Sequence, residues 1–170
     1  MKRFEALFAP HLDAAYNLAR WLTDSESAAQ DVVQESAFRA FKFQHRFVDG
    51  NAKAWFLTIV RNESYNWLKA SMGARWVAID EDWLQDDPAM ADVCTPESQI
   101  IRAQAAEQVR LALLALAPAF REVIVLKELE DMPYKDIAKI VDIPLGTVMS
   151  RLARARAMLK RELLKLHPYE

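Results

Sequence analysis

An acidic segment divides this chain into two parts, each with its own helical pattern. Residues 73–98 carry seven acidic side chains against Arg75 alone, a net charge of −6, and show no regular spacing of apolar residues. Such a segment repels itself and offers few side chains to a core, so we predict an extended, solvated linker. The flanking residues 1–72 and 99–170 are each long enough for one small domain.

Both flanking parts are predicted to be helical. The chain has only 3 glycines in 170 residues and is rich in residues that favour helices. In the first part, residues that recur at steps of three and four predict four helices between residues 1 and 72. These positions are Leu7, His11, Ala14, Ala15, Leu18, Val33, Ala37, Ala40, Phe41, Trp55, Phe56, Ile59, Val60 and Trp67. Asp24 and Ser25 are predicted helix caps, and Asp49-Gly50-Asn51 predicts a turn.

Four more helices are expected in the second part. The first is marked by Ile101, Ala105, Val109, Ala112 and Leu116, and Pro118 ends it. The others are predicted over residues 120–130, 134–141 and 145–166. The expected fold class is therefore all-α, with two small helical domains joined by an acidic flexible linker.

The third and fourth of these helices form a helix-turn-helix pattern. The turn at Asp142-Ile143-Pro144 is short, and Ala138 is small where the two helices should cross. The surrounding apolar residues Ile137, Val141, Ile143 and Val148 are expected to be buried in the angle. A second helix that leaves such a turn steeply can enter the major groove of DNA.

The last helix has two contrasting faces. Its predicted core stripe is Val148, Leu152, Ala155, Leu159 and Leu163. Roughly opposite this stripe lie Ser150, Ala153, Arg154 and Ala157, with Met149, Lys160 and Arg161 at the flanks. Small residues beside arginines suit a close approach to base edges and phosphates. The plainer alternative is a solvated helix that happens to be basic.

Here the residues resemble a known family. The strings Arg121-Glu122-Val123-Ile124-Val125-Leu126, Tyr134-Lys135-Asp136-Ile137-Ala138 and Gly146-Thr147-Val148-Met149-Ser150-Arg151-Leu152-Ala153-Arg154-Ala155-Arg156 are similar to the C-terminal domain of extracytoplasmic-function sigma factors of RNA polymerase. The strings Asp31-Val32-Val33-Gln34-Glu35, Arg39-Ala40-Phe41 and Ala54-Trp55-Phe56-Leu57-Thr58-Ile59-Val60-Arg61-Asn62 resemble the first domain of the same family.

The resemblance implies a role for each part of the chain. Residues 1–72 are expected to bind core RNA polymerase and the minus-ten promoter element, and residues 99–170 the minus-thirty-five element. The expected polymerase-binding residues are Asp31, Gln34, Glu35 and Arg39. The expected minus-ten residues are Asn51, Lys53, Trp55, Arg61, Asn62, Asn66 and Lys69, within or after a loop over residues 47–54 that captures a flipped base. The expected minus-thirty-five residues are Thr147, Met149, Ser150, Arg151, Arg154, Arg156 and Lys160.

The resemblance also implies partners. Core RNA polymerase, promoter DNA and an anti-sigma factor are expected, with no cofactor and no small-molecule substrate. Four positions depart from the family pattern, namely Ala37, Asn66, Asp142 and Met149, and they leave the promoter sequence open. Each charged, exposed face has a plainer alternative as a solvated helix surface, and Trp55 is equally suited to the core.

Two other classes of protein remain as alternatives. One is a helix-turn-helix regulator with an N-terminal helical sensing or partner domain, which would resemble LuxR-type activators. Those activators share the Arg-Glu and Asp-Ile-Ala elements, but they lack the string from Ser150 to Arg156 and the pattern from Asp31 to Phe41. An enzyme is disfavoured because His11, His45 and His167 are far apart in sequence and no metal-ligand spacing or phosphate loop occurs. The single Cys94 provides no disulfide partner. The absence of a long apolar run predicts a cytoplasmic protein that is not itself a membrane protein.

Overall fold

The computed structural model describes residues 2–73 and 99–166, without the side chains of residues 99–103. Within these ranges the chain is all-α, which confirms the expected fold class. The described residues form eight α-helices, namely α1 Lys2–Leu7, α2 Leu12–Thr23, α3 Glu26–Phe43, α4 Ala52–Met72, α5 Gln99–Ala115, α6 Pro118–Ile124, α7 Tyr134–Val141 and α8 Leu145–Leu166. A π-helical turn, Val125–Leu129, continues α6. The predicted linker, apart from Gly73, and Cys94 lie outside the described residues.

The predicted caps begin and end helices in the first half. Asp24 ends α2 in the left-handed conformation, with φ at 49°, and the side chain of Ser25 accepts a hydrogen bond from the backbone N–H three residues later. Asn51 forms the same type of cap at the start of α4, at 3.2 Å. It follows Gly50, whose φ of 113° strongly favours glycine. The turn predicted at residues 49–51 is therefore confirmed.

The helix-turn-helix has the predicted boundaries. Helices α7 and α8 cover the expected residues, and Asp142 adopts a left-handed conformation with φ at 59° in the turn between them. Ile137, Val141 and Val148 are buried as predicted, whereas Ile143 in the turn is only half-buried.

Two details of the predicted core and one predicted helix boundary are wrong. Ala105 and Val109 are exposed, because α5 buries mainly the residues near its C-terminal end, such as Ala112 and Leu113. Phe41 is 43% exposed, and its ring lies 6.0 Å from that of Phe4 in an edge-on contact. Pro118 begins α6 instead of directly ending α5, as its missing N–H permits in a first turn.

The two halves pack against each other. Helix α4 lies along α7, and α2 contacts α6 and the π-helical turn. Their buried apolar side chains form one connected core that extends from Phe8 and Leu18 to Ile137 and Leu152. Among the described residues, no helix has both the length and the apolar composition required to cross a membrane.

Arg121 connects helix ends on both sides of this contact. Its guanidinium donates hydrogen bonds to the carbonyl oxygens of Leu113, Leu114 and Leu116 at the end of α5, at 2.8–3.0 Å. A fourth bond, of 2.8 Å, reaches the carbonyl oxygen of Trp21 near the end of α2. Burial lowers the pKa of Arg121, although arginine remains protonated at neutral pH. The side chain therefore provides donors at two helix ends, where backbone carbonyl oxygens lack the partners of a helix interior. The Leu113 carbonyl oxygen also accepts from the N–H of Leu116 at 3.1 Å.

Replacing Arg121 with methionine should strongly destabilise the chain. The substitution keeps most of the apolar stem but leaves buried carbonyl oxygens without donors, so we expect a loss of about 3–5 kcal/mol in the free energy of unfolding. Urea denaturation followed by circular dichroism measures this loss. Arg110→Met is the matched control, because Arg110 forms exposed ion pairs with Glu107 and Asp24. Equal unfolding midpoints for the two variants would contradict the role of Arg121.

Candidate nucleic-acid and polymerase interfaces

The start of α8 is the most open part of the helix-turn-helix. Met149 is 48% exposed and Ser150 is exposed, while Thr147 is half-buried. Gly146 has open space where a side chain would begin. The first turn therefore has little bulk and can approach another surface closely.

The basic residues of α8 have different environments. Lys160 is exposed, and Arg151 and Arg154 are half-buried. Arg156 is already paired, since its Nε donates to the carboxylate of Glu128 at 3.0 Å. This ion pair orients Arg156 across the helix surface. The predicted core stripe is confirmed, with Val148, Leu152 and Ala155 buried and Leu159 and Leu163 half-buried.

The loop before α4 surrounds a cavity of about 310 Å³. Phe47 and Trp55 form part of its lining, with their ring centroids 5.8 Å apart, and Trp55 also lies 5.0 Å from Phe8. Trp55 thus belongs both to the aromatic core and to the cavity wall. Val48 is 86% exposed at the rim. From the second half, α7 contributes Asp136 to the same lining.

The structure separates the predicted minus-ten residues into two sets. Asn62, Asn66 and Lys69 are exposed along α4. The side chains of Asn51, Lys53 and Arg61 instead contact the second half of the chain. These three residues form polar contacts with carboxylates there, and those contacts were not predicted.

The polar contacts of these three residues with the second half are at hydrogen-bond distance. Asn51 Nδ2 donates to Asp136 Oδ2 at 3.0 Å. Lys53 Nζ lies 3.1 Å from Glu130 Oε2 and donates to the Glu130 carbonyl oxygen at 3.0 Å. The contact of Arg61 with Glu122 is the most buried of the three.

Glu122 is completely buried and forms a bidentate ion pair. The Nε and Nη2 of Arg61 donate to its two carboxylate oxygens at 2.9 and 3.2 Å. Burial raises the pKa of Glu122, while Arg61 and, more weakly, Arg151 act in the opposite direction. Burial lowers the pKa of Arg61, but the hydrogen bond and charge of Glu122, together with Tyr65, act in the opposite direction and the net shift is upward. The guanidinium also lies 4.0 Å from the ring of Tyr65.

The predicted polymerase-binding residues form an exposed surface on α3. Asp31, Gln34, Glu35 and Arg39 are all exposed. Arg39 Nε lies 2.8 Å from Glu35 and 3.2 Å from Glu63 of α4, and these ion pairs keep its side chain along the helix.

Sequence reasoning missed Phe38, which lies on the same surface and is 61% exposed. The signal was its spacing, because Phe38 is four residues after Gln34 and outside the stripe formed by Val33, Ala37 and Ala40. Among the described side chains, no group of three or more histidine, cysteine or acidic residues could bind a metal ion.

Comparisons with known proteins assign each half separately. The family described as Sigma-70 region 2 matches residues 7–72, and the family described as Sigma-70, region 4 matches residues 106–159. The two matches lie on either side of residues 73–98. The match in the first half argues against the LuxR-type alternative, which assigned that half to a sensing or partner domain.

Whole-chain relatives agree with these matches. The ECF RNA polymerase sigma-E factor of Haemophilus influenzae is 34% identical over 150 residues, which cover 84% of this chain and 78% of that protein. The ECF RNA polymerase sigma factor SigE of Mycolicibacterium smegmatis is 29% identical over 165 residues. That alignment covers 97% of this chain but 63% of the relative, so the chain spans less than two thirds of its length.

A solved structure is similar over nearly the full length. It contains the sigma factor RpoE of Bartonella quintana in complex with the anti-sigma factor NepR. The TM-score is 0.72 at 29% sequence identity, and the match covers 98% of this chain and 99% of that one. The family consists of DNA-binding transcription initiation factors, not enzymes. From its two domain matches, its relatives and its fold, the chain belongs to the extracytoplasmic-function sigma factors of RNA polymerase.

Proposed function

We propose that residues 1–72 bind core RNA polymerase and the minus-ten element, while residues 99–170 bind the minus-thirty-five element in the major groove. The observation that carries this proposal is the open start of α8 in a helix-turn-helix, where Met149 and Ser150 are exposed beside basic residues. The major groove has the width for one helix and presents a distinct pattern of donors and acceptors for each base pair. Transcription by bacterial polymerase places this activity in the cytoplasm.

The residues of α8 divide between bases and phosphates. At 100° per residue, Arg154 lies about 50° from the direction opposite the core stripe, so it points towards base edges together with Ser150 and Met149. Arg151 and Arg156 lie nearer the edges of that stripe, where a side chain reaches the DNA backbone. Lys160 is about four turns beyond the helix start and is also suited to phosphates. Thr147 is suited to contacts at the first turn.

The exposed surface of α3 supports polymerase binding. Asp31, Gln34, Glu35 and Arg39 provide polar groups, and Phe38 adds an apolar side chain that is 61% exposed. Large aromatic residues with a polar surround are typical anchors of protein interfaces. We assign this surface to core polymerase.

An anti-sigma factor is the proposed regulatory partner. The B. quintana sigma factor was solved with the anti-sigma factor NepR, and its fold matches this chain over 98% of the residues. Exposed apolar side chains on several helices, among them Leu111, Leu145 and Leu164, provide area that such a partner could cover.

Arg154→Ala should relax base preference in the upstream element. Loss of a contact to base edges is expected to cost about 1–3 kcal/mol for the preferred sequence and less for variants at one or two positions. Binding to a set of single-base variants of the upstream promoter element measures this difference. If Arg154→Ala weakens every variant equally, the side chain binds phosphate and the assignment is wrong.

Lys160→Ala should weaken all upstream sequences alike. Removing one phosphate contact should lower the slope of log affinity against log salt by about one. The same binding assay at several salt concentrations gives this slope. A change in base preference without a change in slope would contradict a phosphate role for Lys160.

Phe38→Ala should reduce the affinity for core polymerase about tenfold, as expected for an exposed aromatic anchor at an interface. Competition with a labelled sigma factor measures the affinity. Leu164→Ala is the matched control, because Leu164 is 45% exposed on α8, away from α3. Equal affinities for the two variants would remove Phe38 from the polymerase interface.

A further inference from the structure

Helix α1 is connected to the loop before α4, which begins at Phe47. Nη2 of Arg3 donates a hydrogen bond to the backbone carbonyl oxygen of Phe47 at 2.7 Å. The two residues are 44 positions apart in the chain, so the bond joins two separate segments of the first half. A charged donor forms a stronger hydrogen bond than a neutral one. The first residue of the loop is therefore held by a side chain from outside the loop.

Apolar side chains fix the position of α1. A helix of six residues is not stable by itself, so its position depends on the residues against which it packs. The ring of Phe4 lies 5.6 Å from that of Phe8, and Leu7 packs against the same core. Because Arg3 directly precedes Phe4, the backbone from which its side chain extends towards Phe47 is fixed as well.

The hydrogen bond controls a rotation that the aromatic packing leaves open. The ring of Phe47 lies 5.8 Å from the rings of both Phe8 and Trp55, and these contacts fix its side chain. The direction in which the chain continues depends on the peptide unit between residues 47 and 48, which is planar and rotates as one body. The bond from Arg3 to the carbonyl oxygen fixes this unit. It thereby sets the path to Val48, which is 86% exposed at the rim of the cavity.

Both ends of the loop are held, while the residues between them are exposed. At the far end, Oδ1 of Asn51 accepts from the N–H of Ala54 at 3.2 Å and caps α4. Residues 48–50 lie between the two fixed ends, and all three are exposed. A loop whose ends are already ordered loses less conformational entropy when it binds a ligand, so its affinity is higher.

We propose that Arg3 is a positioning residue of the minus-ten site, which holds the loop in the conformation that receives a base. The inference rests on the proposed function, and in particular on a base of the minus-ten element entering this loop. The match to the Sigma-70 region 2 family begins at residue 7, so Arg3 lies before the matched residues. Without its bond to Phe47, a smaller fraction of chains has the loop ready to bind, and the affinity for the base falls.

The test uses the holoenzyme, assembled from core polymerase and the full chain. The probe is a promoter that the unchanged holoenzyme selects from a randomised library, with the minus-ten region held open by mismatches. In a series of such probes, each minus-ten position of the nontemplate strand in turn carries an abasic site. Fluorescence anisotropy gives the affinity of the holoenzyme for each probe. The abasic site that weakens binding by the unchanged holoenzyme most marks the captured base.

Two substitutions in α1 are compared on these probes. Arg3→Met removes the donor but keeps an apolar side chain of similar length. Lys2→Met is the matched control, because it removes the same charge from the adjacent residue of the same helix. Both residues are exposed, so neither substitution disturbs the core.

We expect Arg3→Met to bind the intact promoter about fivefold more weakly than Lys2→Met, which is the effect of about one lost hydrogen bond. With the abasic site at the captured position, the two variants should bind equally, because the loop has no base to hold. A general loss of stability would weaken binding to both probes.

Two results would overturn the role of Arg3 and leave the proposed function intact. The first is an equal loss on intact and abasic probes, which means that Arg3 contacts a phosphate or only stabilises the fold. The second is equal affinity of Arg3→Met and Lys2→Met for the intact promoter. If no abasic site weakens binding by the unchanged holoenzyme, the loop receives no base, and the proposed base capture and this inference are both overturned.

Discussion

Two adjacent residues, Arg121 and Glu122, hold the two halves of this chain together. Arg121 donates to backbone carbonyl oxygens at the ends of α5 and α2, and Glu122 accepts from Arg61 of α4. Each is charged and almost completely buried, so each requires its partners. Because they are consecutive on α6, the position of this short helix relative to α2 and α4 follows from both at once.

The local structure could be predicted from the sequence more fully than the contact between the halves. The helices α7 and α8 and the cap at Ser25 depend on residues close together in the chain, where periodicity and capping act directly. The exposure of Val109 was missed because a sequence pattern shows which positions of a helix are apolar. It does not show how much of the helix a neighbouring helix covers. Phe38 was missed because a single aromatic residue among charged residues does not form an apolar stripe.

The contacts of Arg61 and Lys53 could not be predicted for a different reason. An arginine that binds phosphate and one that pairs with a carboxylate have the same sequence signature. The partner Glu122 is 61 residues away from Arg61, beyond a segment without periodicity. Residue type predicted that these positions bind anionic groups, and the fold determines which anionic group is present.

The cap at Asn51 couples the start of α4 to the contact with the second half. Its Oδ1 accepts from the N–H of Ala54, and this bond fixes the side chain so that Nδ2 points to Asp136. A side chain that caps a helix in this way has little rotamer freedom left to lose, so binding a second partner costs it little entropy. Because α7 carries Asp136, the position of that helix relative to the loop decides whether the preorganised amide has this partner.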